Sequence, residues 1–233
     1  MNAAVLLAAG SGRRMQGATN DKVLVHLADK PALLYSIEAF LESGCISHFC
    51  IVVRDPDQQE AIEQIIRSLE LSAVSVDYTF GGIERQNSVY NALSSLPETC
   101  TNVFIHDCAR PLVKPQAIRE LHKSVLKDSA AVLAHPVVDT IKRIERADTL
   151  EQVKLEDLDR SRLWAMETPQ AFAYADILKA YQHVIEASLS ITDDTAAAAL
   201  IGLKASIVIN NHPNPKLTTA KDMAYIEWLL KSR

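Results

Sequence analysis

Short apolar segments alternate with amphipathic segments along nearly all of the 233 residues, and this alternation restricts the possible folds more than any other feature. Six apolar runs have the length of a strand, and several lack strict polar alternation, as strands covered on both faces do. They span 3–9, 49–53, 74–80, 103–106, 130–134 and 205–209. Helical spacing occurs at 31–43, 57–69, 85–96, 114–127, 174–187 and 220–230. This order predicts an α/β fold with a mostly parallel sheet flanked by helices.

Length and composition favour a single soluble domain over residues 1–233. The formal net charge is −5, from 24 basic and 29 acidic residues, which disfavours a general binder of nucleic acid or of anionic membranes. No run reaches the roughly 18 to 20 apolar residues that a membrane span needs. The four cysteines form no CxxC pair and no zinc-ligand spacing. We therefore expect a cytoplasmic protein with reduced, mostly buried cysteines.

One segment interrupts the alternation. Between Asp139 and Arg162, charged residues crowd together without a compact apolar stripe. A long insertion of this kind is either a polar surface loop or a functional element such as an arm that reaches another subunit. Composition leaves both interpretations open.

The first predicted strand runs directly into small residues and cations, in the segment AAGSGRR at 8–14, and Lys22 follows. Small residues let backbone N–H groups approach phosphate oxygens, and arginine and lysine add charged donors. The segment matches neither GxGxxG nor GxxxxGK[ST], which disfavours a dinucleotide site or a P-loop. It predicts a polyphosphate cradle; the alternative is an ordinary turn with solvated arginines.

A second motif, GGIERQNS at 81–88, follows a predicted strand and opens a predicted helix. Two glycines allow the backbone to approach a planar base, and Ser88 offers a donor and an acceptor to the edge of that base. The alternative is a flexible turn and a helix start, in which Glu84 interacts favourably with the helix dipole. The motif alone does not decide between the two.

A third motif, HDCARP at 106–111, puts Asp107 at the end of a predicted strand, where open α/β sheets bind ligands. A carboxylate there suits Mg²⁺, which usually takes one or two carboxylates together with substrate phosphates. The alternative is a structural ion pair between Asp107 and Arg110. We assign Cys108 to packing and His106 to a structural role.

The remaining polar segments point away from hydrolase chemistry. The acidic residues of ITDD at 191–194 precede an alanine run, which favours a helix N-cap and first turn over a metal site. The seven histidines form no HxxxH or HExxH pair, and no GxSxG segment occurs. Acyl-transfer hydrolase chemistry is therefore disfavoured.

Taken together, the chain resembles the family of 2-C-methyl-D-erythritol 4-phosphate cytidylyltransferases. The resemblance rests on the order of seven segments, which are LAAGSGRRM, GGIERQNSV, HDCARP, DTIK, TPQAF, ITDD and NPKLT. It runs from about Val5 to Thr218. It implies a Rossmann-like nucleotidyltransferase fold, a homodimer joined by an arm at about 137–163, and the use of CTP, a sugar-alcohol phosphate acceptor and Mg²⁺ or another divalent cation.

The resemblance also implies roles for individual residues. Catalytic roles fall to Arg14, Lys22, Arg160 and Lys216. Nucleotide binding falls to Ala8, Ala9, Gly10, Gly12, Gly81, Gly82, Arg85, Ser88 and Asp107, and the metal ligand is Asp107. Acceptor binding falls to Arg110, Thr140, Arg160, Thr168 and Lys216, some of them across the dimer. Asp21 stands before Lys22, where the family commonly has proline.

The implied reaction is attack of an acceptor phosphate oxygen on the α-phosphorus of CTP, with release of pyrophosphate. A phosphomonoester is largely ionised at pH 7, so cations are needed more than a strong base. Two alternatives stay open. One is transfer to ribitol 5-phosphate at the same CTP site. The other is a nucleotide-binding regulator without turnover, against which the presence of Arg14, Lys22 and Asp107 argues.

Overall fold

The structure, a computed structural model, describes residues 1–10, 21–71, 73–145 and 149–232. The helices are α1 (Ala32–Ser43), α2 (Pro56–Ile66), α3 (Arg85–Ser95), α4 (Pro115–Asp128), α5 (Tyr174–Glu186), α6 (Asp194–Leu200) and α7 (Ala220–Lys231). The strands are β1 (Asn2–Leu7), β2 (His26–Leu27), β3 (Lys30–Pro31), β4 (His48–Val53), β5 (Ser75–Phe80), β6 (Asn102–Asp107), β7 (Ala130–Pro136), β8 (Lys142–Ile144), β9 (Leu155–Asp157), β10 (Trp164–Ala173) and β11 (Ser206–Ile209).

Seven strands form one sheet in the order β11-β7-β10-β6-β1-β4-β5. Neighbouring strands run parallel, except that β10 is antiparallel to both β6 and β7. Helices α1, α2 and α4 pack in one hydrophobic cluster, and α3, α5 and α6 pack in another. The predicted α/β fold with a mostly parallel sheet flanked by helices is therefore confirmed.

The central strand β1 shows why its apolar run lacks alternation. Ala4 and Leu6 belong to the cluster with α1, α2 and α4, whereas Ala3 and Val5 belong to the cluster with α3, α5 and α6. All four side chains are completely buried, because successive residues of a strand point to opposite faces and both faces are covered. The predicted strand 3–9 is shortened to end at Leu7, which leaves Ala8 and Ala9 in the loop that follows.

The apolar pattern does not predict β10, and the structure corrects the element order there. The strand contains Glu167, Thr168, Pro169 and Gln170, a combination that normally argues against a strand interior. Its pairing register with β7 shifts between Met166 and Gln170, which accommodates this polar stretch. The buried polar side chains have partners; Gln170, for example, donates to the carboxylate of Asp193.

Helix ends follow the sequence signals closely. α1 ends at Gly44 in the left-handed conformation with φ +66°, and Pro115 is the first residue of α4. Asp193 caps α6 by accepting a hydrogen bond from the backbone N–H of Ala196 at 2.9 Å, as predicted. Pro31 lies one position earlier than predicted, at the N-cap of α1 rather than in its first turn.

The charged segment 139–162 contains a hairpin. β8 and β9 pair antiparallel with each other as a separate two-stranded sheet, and all six of their residues are exposed. Formation of a hairpin here favours a defined element over an irregular loop. The division into one domain with an arm at 137–163 stays a prediction.

The four cysteines are free thiols, and Cys50, Cys100 and Cys108 are buried as expected. Burial is the main cause that raises the pKa of Cys50 and of Cys100 to about 11, so neither thiol forms a reactive thiolate at neutral pH. In the part of the chain that the structure describes, no helix has the length and apolar character to span a membrane.

Candidate active site

A cavity of about 540 Å³ opens where β1, β4 and β6 end at their carboxyl termini, the edge at which parallel sheets bind ligands. One part of its wall consists of small residues, namely Ala9, Gly10, Gly82 and Ser88. Apolar residues also line the cavity, and its charged side chains are Lys22, Arg54, Glu84, Arg85, Asp107 and Lys216. The described lining therefore has more positive than negative side chains, which suits a polyanionic ligand.

The glycines of the wall are required for close approach of the backbone. A β-carbon added at Gly81 would lie 2.7 Å from Cβ of Ala9, and one added at Gly82 would lie 2.3 Å from Cβ of Asn87. Both distances are shorter than real contacts between carbon atoms, so a side chain at either position would displace its neighbours. The loop after β5 thus packs directly against the loop after β1.

Ser88 joins the glycine turn to α3. Its hydroxyl accepts a hydrogen bond from the N–H of Gly82 at 3.0 Å and donates one to the carbonyl of Glu84 at 3.2 Å. Ser88 also lines the cavity. The side chain that we predicted to meet a base edge is therefore held in place by the turn itself.

Asp107, the last residue of β6, lies between two cations. Its Oδ1 accepts from Nε of Arg85 at 3.2 Å, and its Oδ2 accepts from Nζ of Lys216. Burial alone would raise the pKa of this carboxyl, but the charges of Arg85 and Lys216 hold it well below its usual range. The Asp107 carboxylate is therefore ionised at neutral pH.

Arg85 is held from its other side by Asp194 at the start of α6. Nη1 and Nη2 of Arg85 donate to the two carboxylate oxygens of Asp194 at 2.7 and 2.8 Å. The hydroxyl of Tyr181 donates to the same carboxylate. The sequence analysis did not find this pair, because Arg85 and Asp194 are 109 positions apart and Asp194 has an adequate local explanation as a first-turn acid.

Lys22 lies beside the small residues that follow β1. A β-carbon built on Gly10 would be 3.5 Å from Cε of Lys22, so the lysine side chain passes close to the predicted phosphate cradle. The other predicted members of this cradle, Gly12 and Arg14, lie outside the described residues, as does Arg13.

A buried network holds the chain just before Lys22. The carboxylate of Asp21 accepts hydrogen bonds from Nε2 of Gln58 and from Nη1 of Arg54, the latter at 3.2 Å. Gln58 also donates to the carbonyl of Ala8 at 3.1 Å. One amide side chain thus joins the two chain segments on either side of residues 11–20. Burial raises the pKa of Asp21, and the donors around it counteract this effect.

Arg54 is a functional candidate that the sequence analysis missed. It follows β4 immediately, lines the cavity, and pairs with Asp21 and Asp55. Its position after a strand was the available signal, since strand ends at this edge meet at the site.

The residues predicted to bind the acceptor fall into two groups. Arg110 and Thr168 lie close to Asp107. The Thr168 hydroxyl accepts from the N–H of Asp107 at 3.1 Å and contacts Nδ1 of His106. Arg110 donates to the carbonyl of Asn214 at 2.7 Å, so the alternative of an Asp107–Arg110 ion pair is not what the structure contains. Burial lowers the pKa of His106 to about 3, which agrees with a neutral, structural histidine.

Thr140 and Arg160 belong to the second group, since they are exposed and lie in the charged segment that carries the hairpin. Arg160 donates to the carbonyl of Val138 at 2.8 Å. Neither residue lines the cavity of its own chain. The fold thus brings together the predicted residues of the glycine turns, Asp107 and Lys216, but not these two.

In the ranges that the structure describes, no group of three or more histidine, cysteine, aspartate or glutamate side chains is arranged so that it could hold a metal ion. Mg²⁺ needs fewer protein ligands when substrate phosphates complete its shell. Asp107 fits that requirement, because its carboxylate is ionised and has about four acceptor positions. Arg85 and Lys216 each donate one hydrogen bond to it, which leaves acceptor positions for a metal ion.

Comparison with known proteins agrees with this geometry. The family model of 2-C-methyl-D-erythritol 4-phosphate cytidylyltransferase matches residues 2–232. The enzyme of that name from Synechococcus elongatus is 38% identical over 226 residues, 97% of this chain and 94% of the relative. The one from Caldanaerobacter subterraneus is 37% identical and covers 98% of both chains.

A solved structure shows the same architecture. The crystal structure of 4-diphosphocytidyl-2C-methyl-D-erythritol synthase from Anaerococcus prevotii superposes with a TM-score of 0.85 at 22% identity, over 99% of this chain and 96% of that one. The α/β fold described above is therefore the fold of that synthase.

The Gln58 network predicts the effect of replacing its amide by an isosteric apolar group. Gln58→Leu removes the donor to Asp21 and Ala8, so we expect the free energy of unfolding to fall by about 2–3 kcal/mol at pH 7. Urea denaturation measures this loss. Gln64→Leu, on the exposed face of the same helix, is the matched control and should change stability little.

The loss in the free energy of unfolding caused by Gln58→Leu should change with pH in one direction. The folded pKa of Asp21 is raised, so the folded state binds the proton more readily than the unfolded state does. As the pH falls through the raised pKa of Asp21, the carboxyl becomes neutral and needs the amide donor of Gln58 less. The deficit should therefore shrink on acidification; a deficit that grew would contradict this account of Asp21.

Proposed function

The chain belongs to the 2-C-methyl-D-erythritol 4-phosphate cytidylyltransferase family, and on this basis we propose that the cavity at the ends of β1, β4 and β6 is its active site. The enzyme transfers the cytidylyl group of CTP to 2-C-methyl-D-erythritol 4-phosphate. The products are 4-diphosphocytidyl-2-C-methyl-D-erythritol and pyrophosphate.

One observation supports the assignment most strongly. The lining of the cavity combines small residues with charged side chains that include Lys22 and Lys216. The small residues allow backbone N–H groups to approach a nucleotide, and the lysines oppose the repulsion between a triphosphate and a second phosphate. At about 4 Å, each unit-charge repulsion costs about 4 kcal/mol at an effective dielectric constant near 20.

The chemistry follows from these positions. An oxygen of the acceptor phosphate attacks the α-phosphorus of CTP, and the bond to pyrophosphate breaks on the opposite side. Lys22 would stabilise the charge that builds on the α-phosphate, and the family motif assigns Arg14, outside the described residues, to the same task. The turns at 81–82 and 8–10 would hold the nucleotide. Lys216, which pairs with Asp107 here, would exchange part of that contact for the incoming phosphate.

A divalent cation such as Mg²⁺ belongs to this proposal. Asp107 would hold it together with phosphate oxygens of the nucleotide, and the bound ion would neutralise charge on the triphosphate. Arg85 contributes by keeping the Asp107 carboxylate ionised and oriented.

The acceptor side has hydrogen-bonding capacity that the described residues do not use. Nε of Arg110 and Oδ1 of Asn214 are buried without a hydrogen-bond partner among those residues. Arg110, Thr168 and Lys216 would receive the acceptor phosphate from this side. Thr140 and Arg160 would be supplied by the arm of a second copy, since they lie away from the cavity of their own chain.

Turnover with defined substrates tests the activity. With CTP, Mg²⁺ and 2-C-methyl-D-erythritol 4-phosphate, the protein should release pyrophosphate, and it should do so much more slowly with ATP, GTP or UTP. The same assay with ribitol 5-phosphate distinguishes the related acceptor. Faster turnover of ribitol 5-phosphate would reject the assigned acceptor, and no turnover with any pair would reject the enzyme.

Lys22→Ala tests the charge argument. Loss of one stabilising cation at the α-phosphate should lower kcat by about 100- to 1,000-fold. The thermal midpoint should stay close to that of the unaltered protein. Lys127→Ala, an exposed lysine in the last turn of α4, is the control and should keep full turnover. Undiminished turnover of Lys22→Ala would contradict the role of Lys22.

The homodimer has its own test. Val138, Leu150 and Leu155 expose 76, 78 and 58% of their surface in the proposed arm at 137–163, and exposed apolar side chains of this kind favour contact with a partner. Leu155→Asp should convert a dimer into a monomer in sedimentation and should reduce turnover. Leu126→Asp, an equally exposed leucine on α4, should stay dimeric and active. A monomeric unaltered protein with full turnover would exclude the shared site.

A further inference from the structure

Asp194 is a charged residue without a role in the chemistry above. Its side chain is completely buried, it does not line the cavity, and it caps no helix. Both of its oxygens face the guanidinium of Arg85, at 2.7 and 2.8 Å, and Tyr181 donates a further hydrogen bond to it. Burying a carboxylate is costly unless it is paired in this way, so the pair needs an explanation.

Counting donors shows what the pair does to Arg85. A guanidinium has five N–H groups in one plane. Two of them face Asp194, and Nε faces Asp107 at 3.2 Å. Three donors are thus directed at protein carboxylates on opposite sides, which fixes the plane of the guanidinium. Arg85 is therefore engaged mainly by protein carboxylates, and a nucleotide can use at most its two remaining donors.

The contacts extend as a row of alternating charges from the core to the cavity. Asp194 at the start of α6 holds Arg85 of α3, Arg85 holds Asp107 of β6, and Asp107 holds Lys216 before α7. Along this row, the two carboxylates are the buried members. Asp194 has no exposed side-chain surface and Asp107 has 11%, whereas Arg85 and Lys216 have 30 and 36%. Each buried carboxylate can therefore orient the cation beside it.

We propose that Asp194 is a positioning residue for the transfer reaction, acting through Arg85 to hold Asp107 and Lys216 in place. The proposal rests on the function given above, since it assigns Asp107 and Lys216 to the reacting phosphates. Tyr181 assists, because its hydroxyl keeps one oxygen of Asp194 directed at Arg85. The opposing interpretation is a structural pair that only joins α6 to α3.

Asp194→Asn separates these interpretations, with Asp193→Asn as the matched control. Both variants remove one negative charge from adjacent positions, but Asp193 caps α6 and contacts Gln170 instead of Arg85. We expect Asp194→Asn to lower kcat by about 10- to 100-fold with KM for CTP nearly unchanged, because the glycine turns are untouched. Asp193→Asn should lower the melting temperature and leave kcat at 25 °C unchanged.

A double-mutant cycle tests whether the effect passes through Arg85. We expect Arg85→Gln and the double variant Arg85→Gln/Asp194→Asn to have the same kcat, since Asp194 then has nothing left to position. Arg85→Gln keeps an amide donor near Asp194, and Tyr181 still donates to that carboxylate. A double variant with a kcat well below that of Arg85→Gln would contradict the proposal even if Asp194→Asn alone does not fold.

Two results would overturn the proposal. One is a folded Asp194→Asn enzyme with unchanged kcat. The other is a further loss in the double variant that equals the loss from Asp194→Asn alone, which would make Asp194 independent of Arg85. Failure of the proposed function would look different, because the unaltered protein would then release no pyrophosphate with either acceptor.

Discussion

The buried carboxylate of Asp107, held between Arg85 and Lys216, is the interaction on which the site depends. It stands at the end of a strand in the middle of the sheet, where desolvation penalises charge. Two cations from distant parts of the chain reverse that penalty and keep the pKa low. The same contacts direct Lys216 to the cavity. One electrostatic arrangement therefore keeps the buried Asp107 carboxylate charged and orients the Lys216 ammonium that would bind phosphate.

The turn after β5 depends on the absence of side chains rather than on charge. Gly81 and Gly82 leave no room for a β-carbon, and this brings the turn after β5 against Ala9. Gln58 then joins Ala8 to Asp21 and so holds the chain next to Lys22. A triphosphate in this cavity would thus meet both close backbone and cations, which is what transfer between two anions requires.

Much of this arrangement follows from local patterns, and the exceptions have a common cause. The apolar runs predict six strands of the main sheet, and the end of 103–106 predicts a ligand-binding carboxylate at Asp107. β10 is not predicted, because its polar residues Glu167 and Gln170 are buried. Their hydrogen-bond partners, Asn214 and Asp193, come from later parts of the chain. Polar residues that are satisfied only by tertiary partners look like loop residues in a sequence pattern.

The sequence by itself determined the alternation of strands and helices, the small residues after β1 and β5, and the family to which the chain is similar. These are local properties, since a strand buried on both faces needs a continuous apolar run and close backbone approach needs glycine or another small residue. Only the tertiary structure decided which charges meet. Arg85 and Asp194 are 109 positions apart, as are Asp107 and Lys216, and pairing at that separation is set by how the sheet orders its strands.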